Sequence, residues 1–241
     1  MRMNEKVLLL LAAQGDPKKA AEIKDFLGET GESATTPANA AVAPVSVPAG
    51  DELADGIYLV FGGQSPAAHQ LYLHGTTPVT DWMKEHCTGV AVKMGEKAVT
   101  VGLFDLQDGA DLRLTVKDSP KDYDPAAYKD TYEDAGADWD GKGNTERVLA
   151  AGILNDEISD CLLDGQYVPA MGEMLFIHLF RKELNQAIKA VGGDELRGWH
   201  WTSAEFSATY AWLLNLTNGF MAYYTKATIT DRVRPVSAFI S

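Results

Sequence analysis

Residues 199–239, WHWTSAEFSATYAWLLNLTNGFMAYYTKATITDRVRPVSAF, contain the pattern that decides the fold. Four short runs in this stretch, at 199–202, 210–216, 220–224 and 233–239, are rich in aromatic and aliphatic residues. Runs of this length and composition, separated by polar residues, are typical of β-strands. The C-terminal part of the chain is therefore expected to be built from several short strands.

The preceding residues add both strands and helices to this pattern. A strand is predicted at 57–61, and a hairpin at 90–103 turns at Gly95-Glu96. A helix is predicted from about 144 to 153, and a longer one from 171 to 191 that ends at Gly192-Gly193. The fold class is therefore α+β, with two helices and a small, mainly antiparallel sheet. The run at 233–239 is expected to pair with a strand between residues 57 and 104.

Two segments precede the globular part. Asp16-Pro17 is a typical helix start and Gly28 a typical helix end, so residues 1–28 are predicted to form a short helical anchor or oligomerisation segment. Residues 29–50 contain Pro37, Pro44 and Pro48 and read as a linker. The ligand-binding domain is assigned to residues 51–241. Because so short a helical segment buries too little surface to fold alone, residues 1–30 are expected to make a homo-oligomer contact.

Composition and charge exclude several classes of protein. The 241 residues are 46% hydrophobic with a net charge of −13, which is inconsistent with a disordered, collagen-like or disulfide-rich chain. The acidity disfavours nucleic acid and anionic membrane surfaces as partners. The apolar run Val7–Ala13 is too short to cross a bilayer. It makes an unconvincing signal peptide because Glu5 lies among the charges before it.

The candidate metal and catalytic motifs do not have the residue spacing that such sites require. The acidic segment around Asp138 and Asp140 resembles a calcium loop, but an EF-hand register would place Arg147 where a bidentate Glu is required. The spacing of His69, His74, His86 and Cys87 matches no zinc motif. No nucleophile elbow, phosphate-binding loop or HExxH is present. The sequence therefore predicts a protein that is not an enzyme and has no cofactor. For the acidic loop it favours a solvated loop before a helix, with a weak calcium site as the alternative.

Several motifs together resemble a known family. They are Trp139-Asp-Gly-Lys-Gly-Asn-Thr145, Val168-Pro169, Gly172-Glu173, Trp201–Phe206, Ala211-Trp212, Asn218-Gly219 and Arg232–Val236. This set resembles C-type lectin-fold proteins of the formylglycine-generating-enzyme-like branch. More narrowly, it is similar to the variable proteins of diversity-generating retroelements. The resemblance covers about residues 139–241 and implies a C-type lectin-like domain.

The sequence departs from related patterns at informative places. Ala170 stands where members of the family often carry a serine helix cap. The calcium tripeptides of animal lectins are absent, so the resemblance implies no calcium-dependent sugar binding. The oxidising enzymes of this fold use a cysteine pair near the C-terminal end, whereas Cys87 and Cys161 both precede that segment.

The family also implies a mechanism of diversification in which adenines of the gene are randomised. Asparagine codons altered in this way can encode every residue except Lys, Gln, Glu, Met and Trp. Between Phe206 and Asp231 only Trp212, Met221 and Lys226 belong to that excluded set. The resemblance therefore implies that these three residues are fixed framework and that the residues between them are variable.

These observations predict a ligand-binding face. Alternation along a strand separates Leu213 from Trp212, so Leu213 is expected to face solvent. The predicted face consists of Tyr210, Leu213, Phe220, Ala222, Tyr223, Tyr224, Thr228 and Ile229. The predicted framework consists of Trp201, Trp212, Met221 and Pro235. The alternative is that these aromatic residues simply pack a β-rich core.

The expected role is that of a non-enzymatic receptor-binding protein. Its partner would be a host cell-surface protein or glycan, and its place a phage virion, as a tail or head fibre, or the exterior of a bacterial cell. The alternative function is a bacterial surface or structural protein of the same fold that is not diversified.

Overall fold

The computed structural model describes residues 53–62, 70–76, 78–124 and 127–239. The predictions for the helical segment 1–28, the linker 29–50 and His69 lie outside the described residues. The described part is an α+β structure with antiparallel sheets, as the sequence predicts. The expected two helices and single small sheet are wrong in number, since the described residues form six α-helices and two sheets, of six and three strands.

The strands form two antiparallel sheets. They are β1 (Gly56–Phe61), β2 (Gln70–Leu73), β3 (Cys87–Met94), β4 (Lys97–Gly102), β5 (Gln166–Tyr167), β6 (Trp199–Glu205), β7 (Tyr210–Asn215), β8 (Phe220–Thr225) and β9 (Val236–Ala238). The larger sheet has the order β2-β1-β3-β4-β9-β5, and the smaller one the order β6-β7-β8. The predicted β3–β4 hairpin is confirmed, with Met94 paired to Lys97 across the turn.

The helices are α1 (Asp81–His86), α2 (Tyr132–Ala137), α3 (Gly141–Ala150), α4 (Asp156–Ser159), α5 (Met171–Leu179) and α6 (Arg181–Ala190). A short 3₁₀ segment lies at Leu106–Gly109. No helix of the described ranges has the length and apolar character needed to span a bilayer.

The long helix predicted at 171–191 is wrong in one respect, because it is two helices. Phe180 lies between them with φ −104° and ψ 16°, outside helical geometry. The bend lets each half pack on a different sheet: α5 lies against β6 and β7, and α6 against β1 and β3. The α6 stripe of Leu184, Ala187 and Ile188 is buried, whereas α5 is buried on nearly all sides.

The helix predicted at 144–153 also has different bounds. It begins earlier because the Asp140 side chain accepts a hydrogen bond from the Gly143 amide at 3.0 Å and caps the helix. It ends at Ala150, and Gly152 follows with a φ of +63°, a conformation that glycine adopts at little cost. Asp138 is buried and accepts hydrogen bonds from the Asp140 amide and the Asn144 side chain, so it supports the same helix start.

The last described strand, β9, belongs to the larger sheet. Val236 pairs with Val101, which confirms the expected pairing of the last strand with a strand in 57–104. The strand is shorter than predicted because Arg234, which is fully buried, anchors the residues before it. Its Nε donates to Asp105 Oδ1 at 2.6 Å, and its Nη1 donates to the Gly102 carbonyl at 3.0 Å.

Two hydrophobic clusters enclose the smaller sheet. One contains Trp212, Leu214 and Met221 together with α5, α6 and the larger sheet. The other contains Trp201, Leu213 and Val233 together with Leu112 and Leu114. The central strand β7 is therefore covered on both faces, and Leu213, which is predicted to face solvent, lies in the core.

Candidate functional site

Several side chains of the β7–β8 hairpin and of the turn that follows it are exposed to solvent. Tyr210, Phe220, Tyr223, Tyr224 and Ile229 are 37–55% exposed. Thr228 is exposed as well, and Ala222 is partly exposed. These seven residues are called the β8 edge below, because they lie on or beside β8, an outer strand of the smaller sheet.

Leu213 is a correction to the predicted face. It is 1% exposed and packs beside Trp201 and Val233 in the second cluster. The predicted alternation with Trp212 exists, but the expectation that the second face is open to solvent is wrong. Both faces of β7 are covered because one cluster lies on each side of the sheet.

The four predicted framework residues are buried. Trp201 and Trp212 are fully enclosed, and Met221 and Pro235 are buried as well. Each tryptophan also has a partner for its ring N–H, as buried indoles require. Trp201 Nε1 donates to the Leu112 carbonyl at 2.8 Å, and Trp212 Nε1 donates to the Lys129 carbonyl at 2.7 Å.

The β-ladder distributes the β8 edge over both faces of the sheet. Trp212 pairs with Tyr223 and Leu213 pairs with Ala222. Since directly paired residues share a face, Tyr223 lies on the side of Trp212 and Ala222 on the side of Leu213. By alternation Phe220 and Tyr224 accompany Ala222. The exposed residues therefore wrap around the edge of the sheet and do not lie on a single face.

An aromatic cluster forms on the Trp212 side of the edge. Tyr223 stacks on Phe206 with ring centroids 3.9 Å apart and planes 7° apart. Tyr210 and Trp212 approach Tyr223 nearly at right angles, at 5.9 and 5.2 Å. Tyr132, from α2, meets Trp212 at 5.0 Å and is itself exposed. The term aromatic cluster refers below to Tyr132, Phe206, Tyr210, Trp212 and Tyr223.

Tyr132 and Phe206 are members of this surface that the predicted face omits. Phe206 is adjacent in sequence to the strand motif that it closes, so its position could have suggested a role. Tyr132 is 80 residues before Trp212, and no periodicity relates the two. Only the tertiary structure brings α2 against β7.

A buried ion pair supports the turn that follows β8. Lys226 and Glu205 are both buried, and their charged groups are in direct contact. Lys226 Nζ also donates to Ser119 Oγ at 2.7 Å, and Tyr123 donates its hydroxyl proton to Glu205 Oε2 at 2.6 Å. Burial lowers the pKa of Lys226, although the charge of Glu205 opposes that shift. The network fixes the segment around Ser119 against the smaller sheet.

A second buried charge cluster lies where the two sheets meet. Asp105 Oδ1 accepts from Arg234 Nε, and His200 Nε2 lies 3.0 Å from the same oxygen. Burial alone would raise the pKa of Asp105, but the hydrogen bond with His200 and the charge of Arg234 bring it below its ordinary value. Through Asp105, these contacts connect the segment around Arg234 to His200 in β6.

The remaining candidate ligands and nucleophiles are dispersed. Cys87 and Cys161 are both free, and burial raises the pKa of the Cys87 thiol to about 11. His86 is exposed and stacks on Trp82. Within the described ranges no group of three or more His, Cys, Asp or Glu could hold a metal ion. We therefore take the exposed aromatic surface of the described residues as the candidate site.

The described structure is an α+β domain of antiparallel sheets and packed helices. No protein-family model matches the chain, and no curated protein sequence matches it. A solved structure that it resembles is a fimbrial protein from Bacteroides ovatus ATCC 8483, with a TM-score of 0.55 and 14% identity. The match covers 76% of this chain and 48% of that one, so the match spans about half the length of the fimbrial protein. At this identity the likeness concerns the fold.

Proposed function

We propose that this chain is a non-enzymatic binding protein that presents the β8 edge to a partner outside the cell, a surface protein or glycan of a host. The observation that carries the proposal is the exposure of four large aromatic side chains of the β7–β8 hairpin, Tyr210, Phe220, Tyr223 and Tyr224. Large apolar side chains that are exposed close together on a folded domain often mark an interaction site. Tyrosine in particular offers large contact area with few rotatable bonds.

The finer part of the proposal is a C-type lectin-like domain whose edge is diversified by a retroelement. Its support is the division between buried and exposed residues in 207–230. The three residues that adenine mutagenesis cannot produce, Trp212, Met221 and Lys226, are all buried. The exposed aromatic and aliphatic residues of the β8 edge all belong to the accessible set. This division fits a variable surface on a fixed framework, although Ala211, Leu213, Leu214 and Leu216 belong to the accessible set and are buried.

The likeness to a fimbrial protein favours a cell-surface location over other places for such a domain. It also supports a second candidate function, a structural surface protein of the same fold without diversification. In its other form, the leading proposal places the chain in a phage tail or head fibre. A template repeat and a reverse transcriptase gene beside the coding sequence would separate the diversified forms from the structural one.

The binding role is tested with the full chain and two double variants. Tyr223→Ala/Tyr224→Ala removes the centre of the β8 edge, whereas Phe104→Ala/Leu163→Ala removes two more exposed hydrophobic residues elsewhere. The fluorescently labelled proteins are titrated onto intact bacterial cells of several species and onto a glycan array. Saturable binding should be lost in the first variant and kept in the second. Equal loss in both, or no loss in either, would contradict the proposal.

The anchor role proposed for residues 1–30 has a separate test. Deletion of residues 1–50 should leave a folded, monomeric domain, while the full chain forms a homo-oligomer. Light scattering coupled to size-exclusion chromatography measures both masses. A truncated protein that stays oligomeric to the same degree would place the contact elsewhere.

A further inference from the structure

The surroundings of the aromatic cluster carry a strong negative charge. The segment 118–134 contains six carboxylates, all exposed, and two lysines. Four contacts hold this segment against the cluster. The Ser119 amide donates to the Ala208 carbonyl at 2.9 Å and the Lys129 amide to the Glu205 carbonyl at 2.7 Å. Trp212 Nε1 donates to the Lys129 carbonyl, and the Tyr132 ring packs on the ring of Trp212.

Two members of the cluster have acidic neighbours. Thr209, which precedes Tyr210 in the chain, donates its hydroxyl proton to Asp118 Oδ2 at 3.3 Å. The exposed residues Asp130 and Glu133 lie within two residues of Tyr132 in the sequence. Exposed carboxylates therefore accompany the exposed residues Tyr132 and Tyr210. A neutral partner would gain nothing from those charges, whereas a cation gains from the ring faces and from the carboxylates together.

From this charge complementarity we propose that the partner of the aromatic cluster is a protein surface that presents arginine side chains. The inference rests on the function proposed above and names the chemistry of its partner. A guanidinium group is planar and weakly hydrated, so it stacks on tyrosine rings while its N–H groups reach neighbouring carboxylates. The net charge of −13 on the whole chain would also steer a basic partner toward it.

The experiment uses the full chain and two matched small probes, N-acetylarginine amide and its neutral isostere N-acetylcitrulline amide. Each probe is titrated while the amide and aromatic NMR signals of the protein are followed. The arginine probe should shift the signals of Tyr132, Tyr210 and Tyr223 saturably, and the citrulline probe should not. Equal shifts with both probes, or shifts only elsewhere, would overturn the inference.

Variants separate the ring contribution from the charge contribution. Tyr223→Phe keeps a π face and should retain binding of the arginine probe, whereas Tyr223→Leu should weaken it about two- to fivefold, the range for exposed cation–π contacts. Asp130→Asn/Glu133→Gln should also weaken it. The control Glu85→Gln/Glu96→Gln makes the same change in net charge beside the larger sheet and should leave binding intact. An equal effect of the two charge variants would show only non-specific attraction and overturn the inference.

The two proposals fail in different ways. If Tyr223→Ala/Tyr224→Ala abolishes binding to cells or glycans but the arginine probe does not bind, the β8 edge is a recognition surface for an uncharged partner. In that case the inference of a basic partner is wrong and the binding function stands.

Discussion

Trp212 and Tyr223 are direct partners in the β7–β8 ladder, yet one side chain is fully buried and the other is 40% exposed. Their ring centroids lie 5.2 Å apart with planes at 82°. The pair marks the boundary between core and surface, because α5 covers β7 while β8 is an outer strand. The proposed recognition surface therefore rests directly on a core tryptophan.

This boundary predicts opposite effects on stability. Trp212→Ala should lower the free energy of unfolding by about 3–5 kcal/mol, since it empties a core site. Tyr223→Ala should lower it less, by about 2 kcal/mol, since Tyr223 is exposed on one side and makes three aromatic contacts worth about 0.5–1.5 kcal/mol each at most. Urea denaturation followed by tryptophan fluorescence and circular dichroism measures both. A loss for Tyr223→Ala as large as that for Trp212→Ala would mean that Tyr223 belongs to the core.

The Lys226–Glu205 pair predicts strong coupling between two substitutions. Lys226→Met leaves the buried Glu205 carboxylate without its counter-ion and should cost about 3–5 kcal/mol of stability. Glu205→Gln on that background removes the unpaired charge and should recover part of the loss. The unfolding free energies of the two single variants and the double variant give the coupling. If the double variant is as unstable as the sum of the single ones, the two groups do not act as a pair.

Glu173 predicts a dependence of stability on pH. Its carboxylate accepts hydrogen bonds from the Ala170 amide at 2.7 Å and from the Tyr167 hydroxyl at 2.8 Å, so it supplies a cap where Ala170 has none. Burial, partly offset by those hydrogen bonds, raises the pKa of Glu173 from 4.5 to about 7. Between these values the folded chain binds a proton that the unfolded chain has released. Stability due to this group should therefore fall as pH rises from about 4.5 to about 7.

The measurement is the difference in unfolding free energy between Glu173→Gln and the parent chain at several pH values. From pH 5 to pH 8 the parent should lose on the order of 3 kcal/mol relative to the variant. Glu146→Gln, at an exposed glutamate, serves as the control and should follow the parent at every pH. A pH-independent difference between Glu173→Gln and the parent would mean that the pKa of Glu173 is not raised.

Periodicity predicted much of the smaller sheet but not its surroundings. Alternation correctly separates Trp212 from Leu213, because side chains of adjacent strand residues point to opposite faces. It does not tell whether one face or both are covered, and Leu213 is buried by a cluster whose members come from residues 106–233. The exposure of Phe220, Tyr223 and Tyr224 agrees with the predicted face. The sequence did not predict that Tyr132 belongs to the aromatic cluster, since this depends on a contact between distant segments.

The helix at 171–190 shows a similar limit. Its continuous apolar sequence predicts a buried helix, and α5 is buried on almost all sides. Nothing in that local pattern indicates the bend at Phe180, because the bend serves two different packing partners, the smaller sheet for α5 and the larger sheet for α6. Local sequence therefore predicts the elements better than the angles between them.

The division between framework and surface predicts which positions tolerate random replacement. In a library that randomises Tyr210, Phe220, Tyr223 and Tyr224 together, most members should fold, because these side chains leave the core clusters intact. In a matched library at Trp212, Leu213, Met221 and Lys226, few members should fold, since each of these residues is buried. Protease resistance of displayed full-length chains, read by sequencing, counts the folded members. Leu213 gives the most discriminating comparison. If its replacement is tolerated as well as that of Tyr223, Leu213 belongs to the variable surface and β7 is not covered on both faces. Equal tolerance in both libraries would remove the structural basis for a diversified edge.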